Sequence, residues 1–201
     1  MSLRHAVLAA LINRAASGYE LAKQFHVSVA NFWTATSQQL YRELDKMESD
    51  GLLSARVVAQ EKRPDKRLYT LTEAGQAALH EFTKQEPRPT TVRDELLVQV
   101  EALTLADVPS IRAAIESRIE SSSRRLESYE QRLSDILGSR DDAEFVATGK
   151  RIGPYLTLQR GISFERENIA WGRLALDVLD RRYRSADSSA SNTAREQQTS
   201  S

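Results

Sequence analysis

The 201-residue sequence contains no cysteine and only three histidines. Without cysteine, disulfide bonds and thiolate metal sites are excluded, and the histidines are too scattered for the spacing of metal ligands. The sequence also lacks a glycine-rich phosphate loop, a histidine cluster and a carboxylate pair placed in a predicted cleft. These absences argue against an enzyme, and the sequence predicts neither a metal nor another cofactor.

Long apolar runs and an excess of one charge are missing as well. No stretch of about eighteen apolar residues offers a membrane span, and the N-terminus lacks the apolar core of a signal peptide. Together with the missing cysteines, this favours a cytoplasmic protein. Lysine plus arginine equals aspartate plus glutamate at 28 each. This balance argues against non-specific polyanion binding, so any affinity for DNA must come from locally placed charge.

Helical patterns dominate the first fifty residues. The first pattern covers 2–13, and the second begins at a capping box formed by Ser17 and Glu20. A third pattern begins at a similar capping box, in which Thr36 is paired with Gln39. The N-terminal region is therefore predicted to contain three short helices.

The third helix has two different faces. Its buried stripe consists of Leu40, Leu44 and Met47, and Gly51 follows at the position expected for a left-handed C-cap. Tyr41 lies at the margin of the exposed face. A polar outward face is typical of any surface helix, so its value as a binding signal depends on the segment after the helix. This face carries Gln38, Arg42, Asp45 and Ser49.

Two β-type segments come next at 54–60 and 66–71, and Thr72 then caps a helix that runs to about residue 84. Helix, strand pair and helix is the element order of a winged helix-turn-helix. A basic wing beside a polar helix face is suited to a DNA groove and its flanking phosphates, although a charged turn is often only solvated. The basic residues of this wing are Lys62, Arg63, Lys66 and Arg67.

The sequence changes character after the first eighty-four residues. Pro87 and Pro89 interrupt helix in 85–91, which we interpret as a linker between a DNA-binding domain at 1–84 and a helical domain at 92–184. No β-type run occurs beyond this linker. The predicted fold is therefore mainly α, with a two-stranded wing in the first domain and an all-helical second domain.

Two long helices of the second domain carry apolar seams at heptad-like spacing. Because neither seam has a large core within its own chain, we expect the seams to bury each other and their copies in a second subunit, forming a homodimer. Residues 185–201 show no apolar periodicity and are predicted to form a disordered tail. The candidate dimerisation residues are Ile115, Leu126, Leu133, Ile162, Ile169 and Leu176.

Several motifs of the chain resemble those of the PadR family of bacterial transcriptional regulators. The resemblance implies a dimeric winged-helix protein, often a repressor of a nearby gene and often released by a small molecule. In one departure, Arg42 follows Tyr41 where the family commonly has proline, which supplies an additional cation facing the groove. The matching segments are 3–11, 17–21, 32–33, 39–44, 50–53, 63–75, 155–156, 161–162, 165–166 and 170–171.

The favoured function is sequence-specific binding of double-stranded DNA by a homodimer at an inverted-repeat operator. Gln38 and Arg42 are expected to read bases, with Ser37 and Tyr41 on phosphates, and the wing cations to add affinity. The alternative is a winged helix used for protein–protein contact. A small aromatic effector could bind between subunits, although packing explains the same aromatic residues. The candidate effector residues are Trp33, Tyr155, Phe164 and Trp171.

Overall fold

Helices dominate both halves of the chain in a computed structural model, which describes residues 3–25, 35–59, 65–87, 89 and 93–198. Two compact units are formed, one by residues 1–91 and the other by 92–201. None of the helices in the described ranges combines the length and apolar character needed to cross a bilayer.

In the part of the first unit that the structure describes, there are four helices and three short strands. In chain order they are α1 (Leu3–Leu11), β1 (Ala16–Ser17), α2 (Gly18–Gln24), α3 (Ser37–Ser49), β2 (Leu53–Val58), β3 (Lys66–Leu71) and α4 (Glu73–Thr83).

Both predicted capping boxes are present. The Ser17 hydroxyl accepts from the backbone N–H of Glu20 at 3.2 Å, and the Glu20 carboxylate accepts from the N–H of Ser17 at 2.8 Å. Thr36 and Gln39 exchange the same two bonds at 3.2 and 2.9 Å. These bonds satisfy helix-terminal N–H groups that have no partner within the helix, which is why α2 and α3 begin where they do.

The sheet has three antiparallel strands in the order β1-β3-β2, which corrects the predicted two-stranded wing. The additional strand pairs Ala16 with Tyr69 and Ser17 with Leu68. A strand of two residues is too short to show alternation in the sequence, and it is held in place by pairing with β3, about fifty residues later. The strand pair β2–β3 is joined from Leu53 opposite Leu71 to Val58 opposite Lys66.

The core of the first unit lies between α1, α2, α3, α4 and the sheet. The predicted stripe of α3 is buried, and Gly51 has φ of 72°, as expected for a left-handed C-cap. On α4, a Cβ added to Gly75 would lie 2.2 Å from the carbonyl oxygen of Leu52. The chain must therefore have glycine where α4 approaches the backbone at Leu52, just before β2. The fully buried side chains of this core are Val7, Leu8, Leu21, Leu40, Leu44 and Met47.

The second unit is entirely helical in its described part. A short helix of seven residues before the last element was not predicted, because it lies between two longer patterns and buries little more than Phe145. The elements are α5 (Glu95–Glu101), a 3-10 helix (Leu105–Asp107), α6 (Val108–Leu137), α7 (Asp142–Thr148) and α8 (Ile152–Gln198).

The long helices α6 and α8 pack against each other. Pro109 lies in the first turn of α6, and Gly138 ends that helix with φ of 63°. At one end of the pair, Ile111, Ile115 and Leu179 form a core with Leu96 of α5. Towards the other end the core consists of Tyr129, Leu158 and Ile162. The two seams therefore bury each other within a single chain.

The backbone of α8 is helical through Gln198 and so includes most of the segment at 185–201 that was predicted to be a disordered tail, and the disorder stays a prediction. Residues 184–198 contain neither glycine nor proline. Extending a helix that already exists avoids the unfavourable nucleation step, so residues of moderate propensity can continue it without an apolar stripe.

Candidate nucleic-acid interface

The outward side of α3 carries the four residues of this helix that were predicted to contact DNA. Ser37, Gln38, Tyr41 and Arg42 are exposed, whereas the opposite side of the same helix is buried. Within the described part of the chain, Gln38 and Arg42 have no hydrogen-bond or ion-pair partner. Their donors and acceptors are therefore available to an external partner.

Tyr41 differs from its neighbours because its ring is held against α2. A Cβ added to Gly18 would lie 2.3 Å from Cε1 of Tyr41, so the ring lies directly over the glycine at the start of α2. The Tyr41 side chain is nevertheless exposed. Sequence reasoning did not identify Gly18 as part of this surface, because nothing local to α2 indicates that an aromatic ring covers it.

At the base of the wing, Lys66 forms an ion pair with α2. Its Nζ lies 2.8 Å from Oε1 of Glu20, the same carboxylate that closes the capping box. The hydrogen bond from Lys66, followed by that from the backbone of Ser17, lowers the pKa of Glu20 to about 2. Lys66 thus links β3 to the first turn of α2.

The next residue, Arg67, is paired with α3. Its guanidinium lies 3.4 Å from Oδ1 of Asp45, donates a second hydrogen bond to Glu48, and lies over the ring of Tyr69 at 5.4 Å. Burial raises the pKa of Tyr69. The ion pairs of Lys66 and Arg67 bear on their predicted role, because a phosphate would have to displace a carboxylate to reach either side chain.

The remaining basic residues of the wing have different positions. Lys62 and Arg63, which were also predicted to contact DNA, lie outside the described residues. Arg56 is exposed on β2 and has no ion-pair partner in the ranges that the structure describes. Sequence reasoning passed over Arg56 because it is an isolated charge rather than part of a basic run.

The three candidate effector residues of the second unit are not brought together within one chain. Tyr155 is buried, donates to Oδ1 of Asp142 at 3.0 Å and packs near Phe145, whereas Trp171 packs in the cluster around Ile115. Sixteen positions along a helix separate these two aromatic residues by about 24 Å, so a single pocket cannot include both. A third candidate, Phe164, is exposed. The remaining candidate, Trp33, lies outside the described residues.

The candidate dimerisation residues divide into two groups. Ile115, Ile162 and Ile169 are buried inside the chain, which leaves these side chains no surface to offer to a second copy. The seams of α6 and α8 bury these side chains against each other. From the sequence, we expected the same seams to be buried against a second subunit as well. The other three candidates are partly buried: Leu126, Leu133 and Leu176.

A second apolar face on α8 was not predicted. Leu156 and Leu174 are 57% and 61% exposed and lie eighteen positions apart, about five full turns, so they share one side of the helix. That side is roughly opposite the one that packs on α6. Ile152 and Val178 extend the same face by one turn at each end, and Phe164 lies beside it.

Comparison with known proteins identifies the family. The model of the PadR-like transcriptional regulator family matches residues 7–81, and that of the virulence activator alpha C-terminal domain matches 92–180. The probable transcriptional regulator Rv1176c of Mycobacterium tuberculosis is 32% identical in an alignment of 183 positions that covers 85% of this chain and 94% of the relative. The chain belongs to the PadR-like family of transcriptional regulators.

Other PadR-like proteins are similar over nearly the same length. The negative transcriptional regulator PadR of Bacillus subtilis is 24% identical over 180 residues, covering 89% of this chain and 98% of that one. Its structure in complex with operator DNA has a TM-score of 0.72 to this chain, with 89% and 97% coverage. The Vibrio cholerae virulence activator AphA is 30% identical, with a TM-score of 0.67 and 90% and 99% coverage. The family consists of transcriptional regulators rather than enzymes.

Proposed function

We propose that this PadR-like regulator is a homodimer that binds an inverted-repeat operator in double-stranded DNA and represses transcription from it. The outward face of α3 carries this proposal. Its exposed side chains Gln38 and Arg42 have no partner in the described part of the chain, and the opposite face anchors the helix in the core. A rigid helix that presents unpaired donors is the device by which winged helices read the major groove.

The chemistry of these two side chains favours reading of bases. The amide of Gln38 matches the N6 and N7 edge of adenine, and the guanidinium of Arg42 matches the O6 and N7 edge of guanine. Ser37 and Tyr41 flank them and are assigned to phosphates. The solved complex of Bacillus subtilis PadR with operator DNA supports this assignment of the domain, because this chain covers 97% of that protein.

The second apolar face of α8 supports the homodimer. It presents Leu156, Leu174 and Val178 to solvent, on the side away from α6. The polar residues Ser163 and Glu167 lie on the same side, between the apolar residues at its two ends. Exposed apolar residues on one side of a helix favour burial against another helix of the same kind. We assign this face to a second copy of the chain, which moves the proposed interface from the inner seams to the outer side of α8.

A two-fold axis through this interface explains the form of the operator. Two copies of α3 would then enter successive major grooves about 34–36 Å apart, and the symmetry of the protein would require an inverted repeat in the DNA. The net charge of zero fits this arrangement, because specificity would come from a few placed side chains rather than from a generally basic surface.

A small aromatic carboxylic acid is the proposed effector. The structure of Bacillus subtilis PadR has been solved with p-coumaric acid. In this chain the guanidinium of Arg160 lies 5.5 Å from the ring centroid of Phe164, on an exposed part of α8. An aromatic acid could stack on Phe164 and pair its carboxylate with Arg160. Release of DNA would follow if this acid bound the arrangement that does not fit the operator more tightly.

Activation is the second candidate outcome at the promoter. The C-terminal unit matches a domain named for a virulence activator, and AphA, a virulence activator, is 30% identical to this chain. A promoter–reporter fusion carrying the DNA that flanks the gene for this protein, with and without the gene, distinguishes the two. Higher reporter signal in the deletion supports repression, and lower signal supports activation.

DNA binding is tested by a salt-titrated gel shift on the same flanking DNA. Arg42→Ala should weaken binding by about 1–3 kcal/mol and relax the preference for one base in each half-site. Lys46→Ala is the matched control, because Lys46 is an exposed cation of the same helix, and its loss should affect all sequences alike. Specific binding that survives Arg42→Ala unchanged would favour the protein–protein alternative for this winged helix, or a different docking of α3.

A further inference from the structure

Arg67 connects the wing to the helix proposed to read DNA. We propose that Arg67 is a positioning residue, which offsets half of the charge of Asp45 and Glu48 and fixes the base of the wing against α3 instead of contacting a phosphate. This inference rests on the proposed DNA binding and changes the role of one residue within it.

The geometry of β3 directs Arg67 towards α3. Side chains two apart on a strand share a face, so Arg67 lies on the same side as Tyr69, which is buried. On α3, Asp45 and Glu48 are three residues apart and therefore neighbours on the helix surface. The guanidinium reaches both, at 3.4 Å from Oδ1 of Asp45 and in a hydrogen bond with Glu48.

The number of partners argues against a phosphate contact by Arg67. Its guanidinium already has two carboxylates and the face of the Tyr69 ring at 5.4 Å. A phosphate would replace one of two anions that are held in place by the folded helix. Such a preformed arrangement loses little conformational freedom on forming the ion pairs, whereas a new phosphate contact would have to break them.

The charges of Asp45, Glu48 and Arg67 explain why this cluster would affect DNA affinity although Arg67 does not contact a phosphate. Asp45 follows Arg42 by one turn of α3 and is largely exposed, with 66% of its side chain accessible. Two uncompensated carboxylates at this position would repel the phosphates of DNA, which carries one negative charge per about 1.7 Å. Asp45 and Glu48 alone carry a charge of −2, and Arg67 brings the net charge of the cluster to −1. Arg67 also fixes the wing relative to α3.

Two backgrounds separate the positioning role from a direct phosphate contact. Arg67→Ala is made in the full-length wild-type chain and in an Asp45→Asn/Glu48→Gln chain, and affinity for the flanking DNA is measured against salt concentration. We expect a loss of about tenfold in the wild-type background and less than about twofold in the neutralised one, because the acids that Arg67 masks are then gone. The slope of log affinity against log salt should change by much less than the unit of about 0.9 expected for a lost phosphate contact.

Arg56→Ala is the matched control. It removes the same charge from the neighbouring strand β2, at an exposed position without an ion pair among the described residues. Its effect should be the same in both backgrounds. An equal loss from Arg67→Ala in both backgrounds, together with a slope lowered by about one unit, would overturn the positioning role and restore Arg67 as a phosphate contact.

Urea unfolding of the same variants gives a readout that does not need DNA. Arg67→Ala and Asp45→Asn/Glu48→Gln should shift the unfolding midpoint non-additively if the cluster ties the wing to α3. Additive midpoint shifts would contradict the cluster itself. A wild-type chain with a folded cluster that binds neither the flanking DNA nor a random-sequence pool would instead contradict the proposed function, and with it the effect of Arg67 on affinity.

Discussion

Ser122 and Glu165, the polar interruptions of the two apolar seams in the second unit, are joined by one arginine between α6 and α8. Both are buried, with Ser122 fully inaccessible and Glu165 only 3% exposed. Arg125 donates to Oγ of Ser122 at 3.1 Å and to both carboxylate oxygens of Glu165, at 2.6 and 3.0 Å. The interruptions therefore match each other, and only one register of the helices allows them to meet.

Arg125→Ala should destabilise the second unit by about 3 kcal/mol at neutral pH, because it leaves the buried Glu165 carboxylate without its counter-ion. Burial alone would raise the pKa of Glu165, but the hydrogen bond from Arg125 and that from Ser122 hold it below its ordinary value. In the variant the effect of burial is opposed only by the hydrogen bonds from Ser122 and Asn168, so the pKa of Glu165 should rise. The destabilisation should then grow from pH 4 to pH 7, as measured by urea unfolding followed by circular dichroism.

The double variant Arg125→Met/Glu165→Leu tests whether the unpaired carboxylate of Glu165 causes the loss of stability. Replacing both partners with apolar side chains should be close to neutral or stabilising, because the desolvation of two charges is avoided. A double variant as unstable as Arg125→Ala would mean that Glu165 is not the reason for the loss.

The ion pair between Glu20 and Lys66 gives a second pH dependence, and this pair lies at the surface. Its pKa is lowered to about 2, so the stabilisation should be complete above about pH 5 and be lost as the pH falls towards 2. The Glu20 side chain is 45% exposed, and solvent screening reduces the expected contribution to about 1 kcal/mol. When the pH is lowered from 7 to 3, the urea concentration at the unfolding midpoint should therefore decrease less steeply for Glu20→Gln than for the wild type.

Glu73→Gln is the control for this pH dependence. Glu73 is an exposed acid in the first turn of α4, without an ion pair among residues the structure describes. Its substitution should leave the pH profile of the wild type unchanged. If both variants flatten the profile equally, the pair between Glu20 and Lys66 is not its source.

Gly75→Ala should destabilise the first unit by about 2–3 kcal/mol. The added Cβ would lie 2.2 Å from the backbone oxygen of Leu52, which cannot move aside as the end of a side chain could. Gly153→Ala is the matched change, because nothing lies within 4 Å of the added atom in the first turn of α8. It should be neutral or stabilising by up to about 1 kcal/mol. Thermal unfolding of the two variants measures the difference, and equal stabilities would show that α4 does not approach Leu52 so closely.

Interactions within one turn were predictable from the sequence, and those between distant residues were not. The capping boxes at Ser17 and Thr36 join residues three apart, so the sequence displays both partners together. The strand at Ala16 depends on pairing with Tyr69, and Arg67 pairs with an acid of α3 nineteen positions earlier. Neither partner is marked by any local pattern, and only the folded chain brings them together.

The helical unit illustrates the same limit at larger scale. Heptad-like spacing correctly predicted long helices with apolar seams, but spacing alone does not say which surface a seam covers. Ile115 and Ile162 are buried within the chain, and the outer face with Leu156 and Leu174 was overlooked because it lacks the regular repeat of the inner seam. Amphipathic patterns indicate that a face is buried, and the partner has to be found from the packing.

The outer face of α8 can be tested by charge insertion. Leu156→Glu/Leu174→Glu should weaken dimerisation on the order of 100-fold in sedimentation velocity, because two exposed leucines per protomer would no longer be buried between copies. The helical content should stay the same, since neither side chain is in the core of its own chain. Leu105→Glu serves as the control, because Leu105 is also an exposed leucine, at 68%, but lies on the 3-10 helix and not on the outer face of α8. This variant should still dimerise. A double variant that still dimerises fully would place the interface elsewhere.

Effector binding can be followed through Trp171, since the chain has only two tryptophans and a Trp33→Phe variant removes the other. Trp171 lies one heptad after Phe164, on the same part of α8. Aromatic carboxylic acids such as p-coumaric acid should quench its fluorescence and release the flanking DNA over the same range of concentrations. Both effects should be reduced in Phe164→Ala and in Arg160→Ala, because the first loses the stacking surface and the second loses the charge for the carboxylate. Quenching without release of DNA would identify a bystander site, and a lack of response to every acid tested would leave these aromatic residues with a packing role alone.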